Sequence, residues 1–171
     1  MNLPNRLTLL RIILVPVFMC VYLFGFEYVA AAIFVIASVT DWADGYLARK
    51  NNLVTNFGKF MDPLADKLLV TAALLCLLEL GTVTSWVVMI ILAREFIVTG
   101  IRLVAASEGK VIAAGKLGKI KTVMQLIALT YAIIFGGGIL TDVLIYLATA
   151  MTLISGIDYI AKNTYVFSQT N

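Results

Sequence analysis

The 171-residue sequence contains no histidine. Its absence removes the side chain that most often serves as general base near neutral pH and the commonest transition-metal ligand. Acid–base chemistry therefore falls to carboxylates, lysines or tyrosines. Charge is scarce too. Asp, Glu, Lys and Arg make up 13% of the chain, where a soluble domain carries about 25%. So few charges cannot coat a globule, and with 61% hydrophobic residues lipid must cover much of the surface. The two cysteines, Cys20 and Cys76, both lie inside apolar runs. Packing or lipid contact accounts for them better than a disulfide or a CxxC metal site. No internal repeat or low-complexity tract is present, and the length fits one domain, 1–171.

What the sequence does have is six apolar stretches, at roughly 7–26, 28–48, 62–80, 84–106, 119–136 and 139–161. Each approaches the ~20 helical residues that span a bilayer. Tight breaks at Gly25-Phe26-Glu27, Leu80-Gly81-Thr82 and Gly136-Gly137-Gly138 alternate with longer polar breaks at 49–61 and 107–118. Arg6 and Arg11, an apolar run and then Ala30, Ala31 and Ala32 have the outline of a cleavable signal. The apolar character continues almost to the end, however, so the reading is a retained first membrane helix.

The uncharged cores 12–26, 28–40 and 80–93 fall short of a full span. With the helices running in alternate directions, the charges that shorten them all fall on one side. Arg11 cuts the start of helix 1, and Asp41, Asp44 and Arg49 cut the end of helix 2. Asp62, Asp66 and Lys67 open helix 3, and Arg94, Glu95 and Arg102 lie toward the end of helix 4. Lys116, Lys119 and Lys121 lead into helix 5, and Asp158 and Lys162 close helix 6. All 13 Lys and Arg lie on that side, and the opposite loops carry only Glu27, Glu79 and Asp142. The positive-inside rule makes the charged side cytoplasmic, with both termini there. A charge within a membrane helix costs about 3 kcal/mol or more and normally faces protein or water. Intrusions from six helices at one depth predict an all-α polytopic membrane protein of six transmembrane helices with a polar cavity open to the cytoplasm. Scattered structural ion pairs are the alternative.

Asp41 and Asp44 are spaced i,i+3 and share a helix face; Asp62 and Asp66, spaced i,i+4, share one on the next helix. Gly45 and Ala48 continue the first face with small residues that admit a ligand or another backbone. Segment 49–61 reads as a short cytoplasmic link, and Pro63 as a first-turn residue of helix 3. Four carboxylates this close need protons or cations as compensation. Oxygen donors without His or Cys suit hard cations such as Mg²⁺ or Mn²⁺, and a pair of such ions can bridge a diphosphate. The same acids also fit a proton relay in a transporter, with Arg49 or Lys67 as counter-ions.

The pattern D-x-x-D-G-x-x-A-R-x8-G-x-x-x-D-x-x-x-D, filled by Asp41, Asp44, Gly45, Ala48, Arg49, Gly58, Asp62 and Asp66, resembles the signature of the CDP-alcohol phosphatidyltransferase family. The likeness extends to the six-helix layout and so covers nearly the whole chain. It implies that Asp41, Asp44 and Asp62 chiefly ligate two divalent ions, and that Asp66 is the general base and a further metal contact. It places Asn5, Thr8 and Arg11 near the nucleotide of a CDP-diacylglycerol donor, with Thr40, Asp44, Gly45, Ala48, Arg49, Gly58 and Lys59. Without it, Asn5, Thr8 and Arg11 read as a helix cap and a snorkelling cation.

Two further segments, Arg94-Glu-Phe-Ile-Val-Thr99-Gly100-Ile-Arg102 and Gly115-Lys116-Leu-Gly118-Lys119-Ile-Lys121-Thr122, together with the opening Leu3-Pro4-Asn5-Arg6-Leu7-Thr8-Leu9-Leu10-Arg11, resemble the bacterial phosphatidylglycerophosphate synthases within that family. The acceptor implied is sn-glycerol 3-phosphate, held by Arg94, Arg102, Lys116 and Lys119. Arg94 and Arg102 stand eight apart, roughly one helix face, and Lys116 and Lys119 three apart, which suits a phosphate dianion. Serine or inositol phosphate is the alternative acceptor. For Lys110, Lys121 and Lys162 headgroup anchoring is the simpler reading. For Arg94, well inside its helix, a salt bridge is the structural alternative. Asp158 is suited to orienting a basic residue. Trp42 and Trp86 read as packing or interfacial anchors. The resemblance further implies a homodimer in a bacterial plasma membrane, with membrane lipids and no nucleic acid as partners.

Overall fold

A computed structural model describes the backbone of residues 3–50, 56–107, 112 and 115–164, and the side chains of these residues except 3–8, 41–50, 56–63, 66 and 107. The described residues form six α-helices: α1 (Leu3–Leu23), α2 (Glu27–Lys50), α3 (Asn56–Glu79), α4 (Ser85–Ser107), α5 (Lys116–Phe135) and α6 (Ile139–Lys162). No strand occurs among them. Helix is the form that satisfies every backbone donor and acceptor within the segment itself, as an apolar surrounding demands. Helices α5 and α6 are long and apolar enough to cross a membrane, and residues 9–23 and 27–40 form shorter apolar helical runs. Phe24, Trp86, Ile139 and Ile157 expose most of their surface. Exposed apolar side chains in this number fit a membrane protein.

The tight breaks have a specific cause. At the end of α1 the Phe26 amide donates to the Val21 carbonyl (3.1 Å) and the Gly25 amide to Tyr22 (3.0 Å). At the end of α3 the Thr82 amide donates to Leu77 (2.8 Å) and the Gly81 amide to Leu78 (3.0 Å). This paired pattern is the Schellman motif, and it needs a left-handed residue at its corner. Gly25 (φ 83°) and Gly81 (φ 72°) supply it, where another residue would be strained.

The expectation for helix 3 needs correcting. It begins at Asn56 rather than near Asp62, so the link between α2 and α3 shrinks to 51–55, and Pro63 lies in the helix interior rather than the first turn. The helix continues through Pro63, and the missing proline N–H costs one intrahelical bond.

The chain divides into two compact units, residues 1–82 with 129–136, and residues 83–128 with 137–171. In the first, α1 packs against α2 and α3, and α2 also touches α3. Phe18 lies 5.9 Å, ring centre to ring centre, from both Tyr22 and Phe34. The buried stripe of α2 is Ala30, Phe34 and Ala37, and that of α3 is Ala65, Leu69, Ala72 and Cys76. Small residues on these stripes let the helices approach closely. Cys76 is buried and Cys20 exposed, and both are free thiols, as expected. In the second unit α4 packs against α6, with Val98, Ile101, Ala105 and Tyr159 forming a cluster. Along α6 the buried Thr149 and Thr152 return their hydroxyl protons to the carbonyls of Ile145 and Ala148, both at 2.7 Å, and Ser155 returns its own to Thr152.

Candidate active site

In the first unit, helical register links the buried stripes to the acidic positions. Extending Ala30, Phe34 and Ala37 along α2 by steps of three and four reaches positions 41, 44 and 48. Extending the α3 stripe back from Ala65 by three reaches position 62. The side chains of Asn5, Thr8, Asp41, Asp44, Gly45, Ala48, Arg49, Gly58, Lys59, Asp62 and Asp66 lie outside the described side chains. Among the described residues no group of three or more acids or cysteines gathers as a metal site. The donor set the sequence provides on α2 and α3 is all carboxylate, at i,i+3 and i,i+4 spacing. That chemistry fits hard divalent cations.

Two predicted contacts of the nucleotide are described. Arg11 is only 4% exposed, which overturns the snorkelling alternative, because such a cation keeps its head in water. It occupies the buried face of α1 with Phe18 and Tyr22. The Thr40 hydroxyl donates to the Ile36 carbonyl at 2.8 Å and lies 3.0 Å from that of Ala37. Its proton is thus engaged by its own helix, and its oxygen remains able to accept.

All four predicted acceptor residues, Arg94, Arg102, Lys116 and Lys119, lie in the second unit. The Arg94 side chain is 12% exposed, and its Nη1 lies 3.4 Å from Oε1 of Glu95. The same oxygen accepts a hydrogen bond from Nζ of Lys121 on α5. The Arg94 Nε is buried and has no hydrogen-bond partner among the described residues. The arginine stem lies against Gly156 on α6, and its Nη2 beside Gly118 in the first turn of α5. Arg102 donates from Nε to the Tyr159 hydroxyl (3.2 Å), and its guanidinium carbon is 5.3 Å from the centre of that ring. The Arg94–Gly156 and Arg102–Tyr159 contacts advance together, so α4 and α6 run in the same direction where they meet. Lys116 and Lys119 are exposed on the first turn of α5, on either side of Gly118.

The headgroup reading fails for Lys121, which is 4% exposed. From Lys119 to Lys121 the helix turns by about 200°, which carries Lys121 onto the buried stripe of Gln125, Ala128 and Ala132. For Lys162 an exposed position holds: its side chain is 70% exposed and pairs with Asp158 one turn earlier at 2.7 Å. Asp158 thus pairs with a basic residue, Lys162. Lys110 lies outside the described residues. Sequence reasoning missed Glu95, Gly156 and Tyr159 as members of the basic group. Glu95 had a usable signal, as a lone acid beside Arg94 inside an apolar helix. Continuing the apolar stripe of α5 toward its start would have found Lys121. Gly156 and Tyr159 carry no such signal, because the contact lies across to another helix.

The spacing and the geometry meet in the comparisons with known proteins. The model of the CDP-alcohol phosphatidyltransferase family matches residues 1–154. A CDP-diacylglycerol–glycerol-3-phosphate 3-phosphatidyltransferase of Bacillus subtilis is 44% identical, with 99% of each chain covered. The protein of the same name from Rickettsia felis is 39% identical over 92% of this chain and 93% of its own. A probable phosphatidylglycerophosphate synthase of Mycobacterium tuberculosis is 41% identical over 94% of this chain and 81% of its own. With a match from the first residue through most of α6, the chain belongs to the CDP-alcohol phosphatidyltransferase family.

Proposed function

We propose that this protein transfers the phosphatidyl group of CDP-diacylglycerol to sn-glycerol 3-phosphate, releasing CMP and forming phosphatidylglycerol phosphate for phospholipid synthesis. What carries this reading is the coincidence of the eight signature positions on α2 and α3 with end-to-end similarity to relatives named for that reaction. The whole chain, 1–171, acts as one membrane-embedded domain with six spanning helices, both termini and a polar cavity on the cytoplasmic side of a bacterial plasma membrane. The location of all 13 basic residues supports that orientation. The assembly is a homodimer, on the family resemblance.

Asp41, Asp44, Asp62 and Asp66 would hold two divalent cations, Mg²⁺ or Mn²⁺. Bound there, the cations supply charge neutralisation for the diphosphate. Asp66 accepts the proton of the glycerol 1-hydroxyl. That oxygen forms a bond to the β-phosphorus bearing diacylglycerol, and the bond from this phosphorus to the CMP oxygen breaks. Gly45, Ala48 and Gly58 leave space for the donor, while Arg49, Lys59, Arg11, Asn5, Thr8 and Thr40 contact its nucleotide and diphosphate. Arg94, Arg102, Lys116 and Lys119 hold the acceptor phosphate. The buried Arg94 Nε without a hydrogen-bond partner supports that role, since an idle guanidinium donor at this depth is costly. Positioning and electrostatics supply most of the rate, as in other phosphoryl transfers.

The test is CMP release by the purified protein in lipid, comparing sn-glycerol 3-phosphate with serine and inositol phosphate. Release driven best by another alcohol replaces the acceptor. Full activity in EDTA removes the metal. Ion flux across sealed vesicles without CMP release would establish a transporter instead.

A further inference from the structure

We propose that Glu95 and Gly156 are positioning residues for the Arg94 guanidinium: Gly156 seats its stem and Glu95 aims its head. The proposal rests on Arg94 binding the acceptor phosphate.

A Cβ placed on Gly156 would come 2.9 Å from Cγ of Arg94 and 3.9 Å from its Cβ and Nε. The first distance is shorter than side-chain packing tolerates. Glycine within a helix is disfavoured relative to alanine, and Gly156 is not among the glycines with positive φ. The backbone therefore does not require a glycine at 156, whereas the arginine stem does. No other described glycine meets a neighbour so closely.

The head is set by charge. A single oxygen, Oε1 of Glu95, faces Nη1 of Arg94 at 3.4 Å and also accepts from Nζ of Lys121. The side chains of Arg94, Lys121 and Glu95 are 12%, 5% and 16% exposed, so solvent screens them little. One carboxylate between two cations leaves this trio with a net positive charge. The carboxylate holds the two like charges together and fixes one edge of the guanidinium, leaving its remaining donors for an anion. Without Glu95 the two cations repel, and Arg94 loses its orientation. The seat and the clamp thus come from different elements, α6 and α4 with α5, and act on opposite ends of one side chain.

The test is steady-state kinetics of the purified full chain in lipid, with Glu95→Gln, Gly156→Ala and Arg94→Gln compared. Glu95→Gln and Gly156→Ala should each raise the KM for sn-glycerol 3-phosphate about tenfold. The KM for CDP-diacylglycerol and the turnover at saturating acceptor should stay within about threefold of the parent, the pattern of lost ground-state binding. A purely structural role predicts less active enzyme with an unchanged acceptor KM. An unchanged KM in Gly156→Ala overturns the seat. An unchanged or lowered KM in Glu95→Gln overturns the clamp, the lowered value meaning that Glu95 competes with phosphate. If Glu95→Gln does not fold, Glu95→Asp takes its place: a methylene shorter, it keeps the charge but moves the oxygen, and the same rise in acceptor KM is expected. Arg94→Gln separates the two levels. An unchanged acceptor KM there overturns the phosphate role itself, whereas a raised KM alongside unchanged Glu95→Gln and Gly156→Ala overturns the positioning alone.

Discussion

Helices α2 and α3 carry four aspartates at regular helical spacing together with Arg49, Lys50, Lys59 and Lys67, whereas α4, α5 and α6 carry six cations at irregular spacing with Glu95, Asp142 and Asp158 among them. The difference lies in how each set is compensated. Aspartates spaced this closely need protons or cations as compensation, for which a divalent ion and the neighbouring Arg49 and Lys67 are the candidates. The cations of the second unit are partly answered within it: Glu95 faces both Arg94 and Lys121, Tyr159 holds Arg102, and Asp158 holds Lys162. On the proposed function, the first set is built around a ligand of opposite charge. The other is a scaffold of internal pairs, from which the proposed function draws donors for a phosphate.

The comparison can be broken most sharply at Asp66. Asp66→Asn should lower the rate of CMP release by about 10²–10⁴-fold, the usual worth of a general base, while donor binding in a sedimentation assay with lipid vesicles persists. Comparable activity in the mutant would end its role as base. Next in size is Lys121→Met, which should destabilise the protein by about 3 kcal/mol by taking from the buried Glu95 carboxylate one of its cationic partners. Chemical denaturation in detergent reads this directly, and a neutral result would reduce the trio to a casual contact. Gly81→Ala should cost about 1–2 kcal/mol, because alanine must adopt the left-handed conformation there, with a lower melting temperature and unchanged KM values. Smallest is Lys162→Ala. Its exposed pair with Asp158 should contribute under about 0.5 kcal/mol, and a larger loss would mean that this end of α6 has a partner.

The helical placement of the acidic positions was legible in the sequence because its information is local. A face shared at i,i+3 or i,i+4 follows from helix geometry alone, and the alternation of tight and long breaks located five of the six helices to within a few residues. Helix 3 began earlier than expected because hydropathy marks where the apolar run starts and not where hydrogen bonding does. The basic half was only partly legible. Arg94 and Arg102 were singled out by family resemblance and by their shared helix face, but the residues they touch, Gly156 and Tyr159, lie on α6, more than fifty residues away. Lys121 was misjudged because composition does not separate a lysine at a membrane surface from one turned inward two residues later.

The buried hydroxyls of α6 have a consequence for how this helix tolerates evolutionary change. Thr149, Thr152 and Ser155 spend their protons on carbonyls of their own helix and so ask nothing of α4. To a neighbouring helix each is a small side chain with its polarity already satisfied. Polarity then places no demand on the neighbouring helix at these positions, and substitutions that keep the side-chain volume should be tolerated there. Gly156, one step further along, has no such freedom. A lineage that replaced its hydrogen with a methyl would first have to move an arginine.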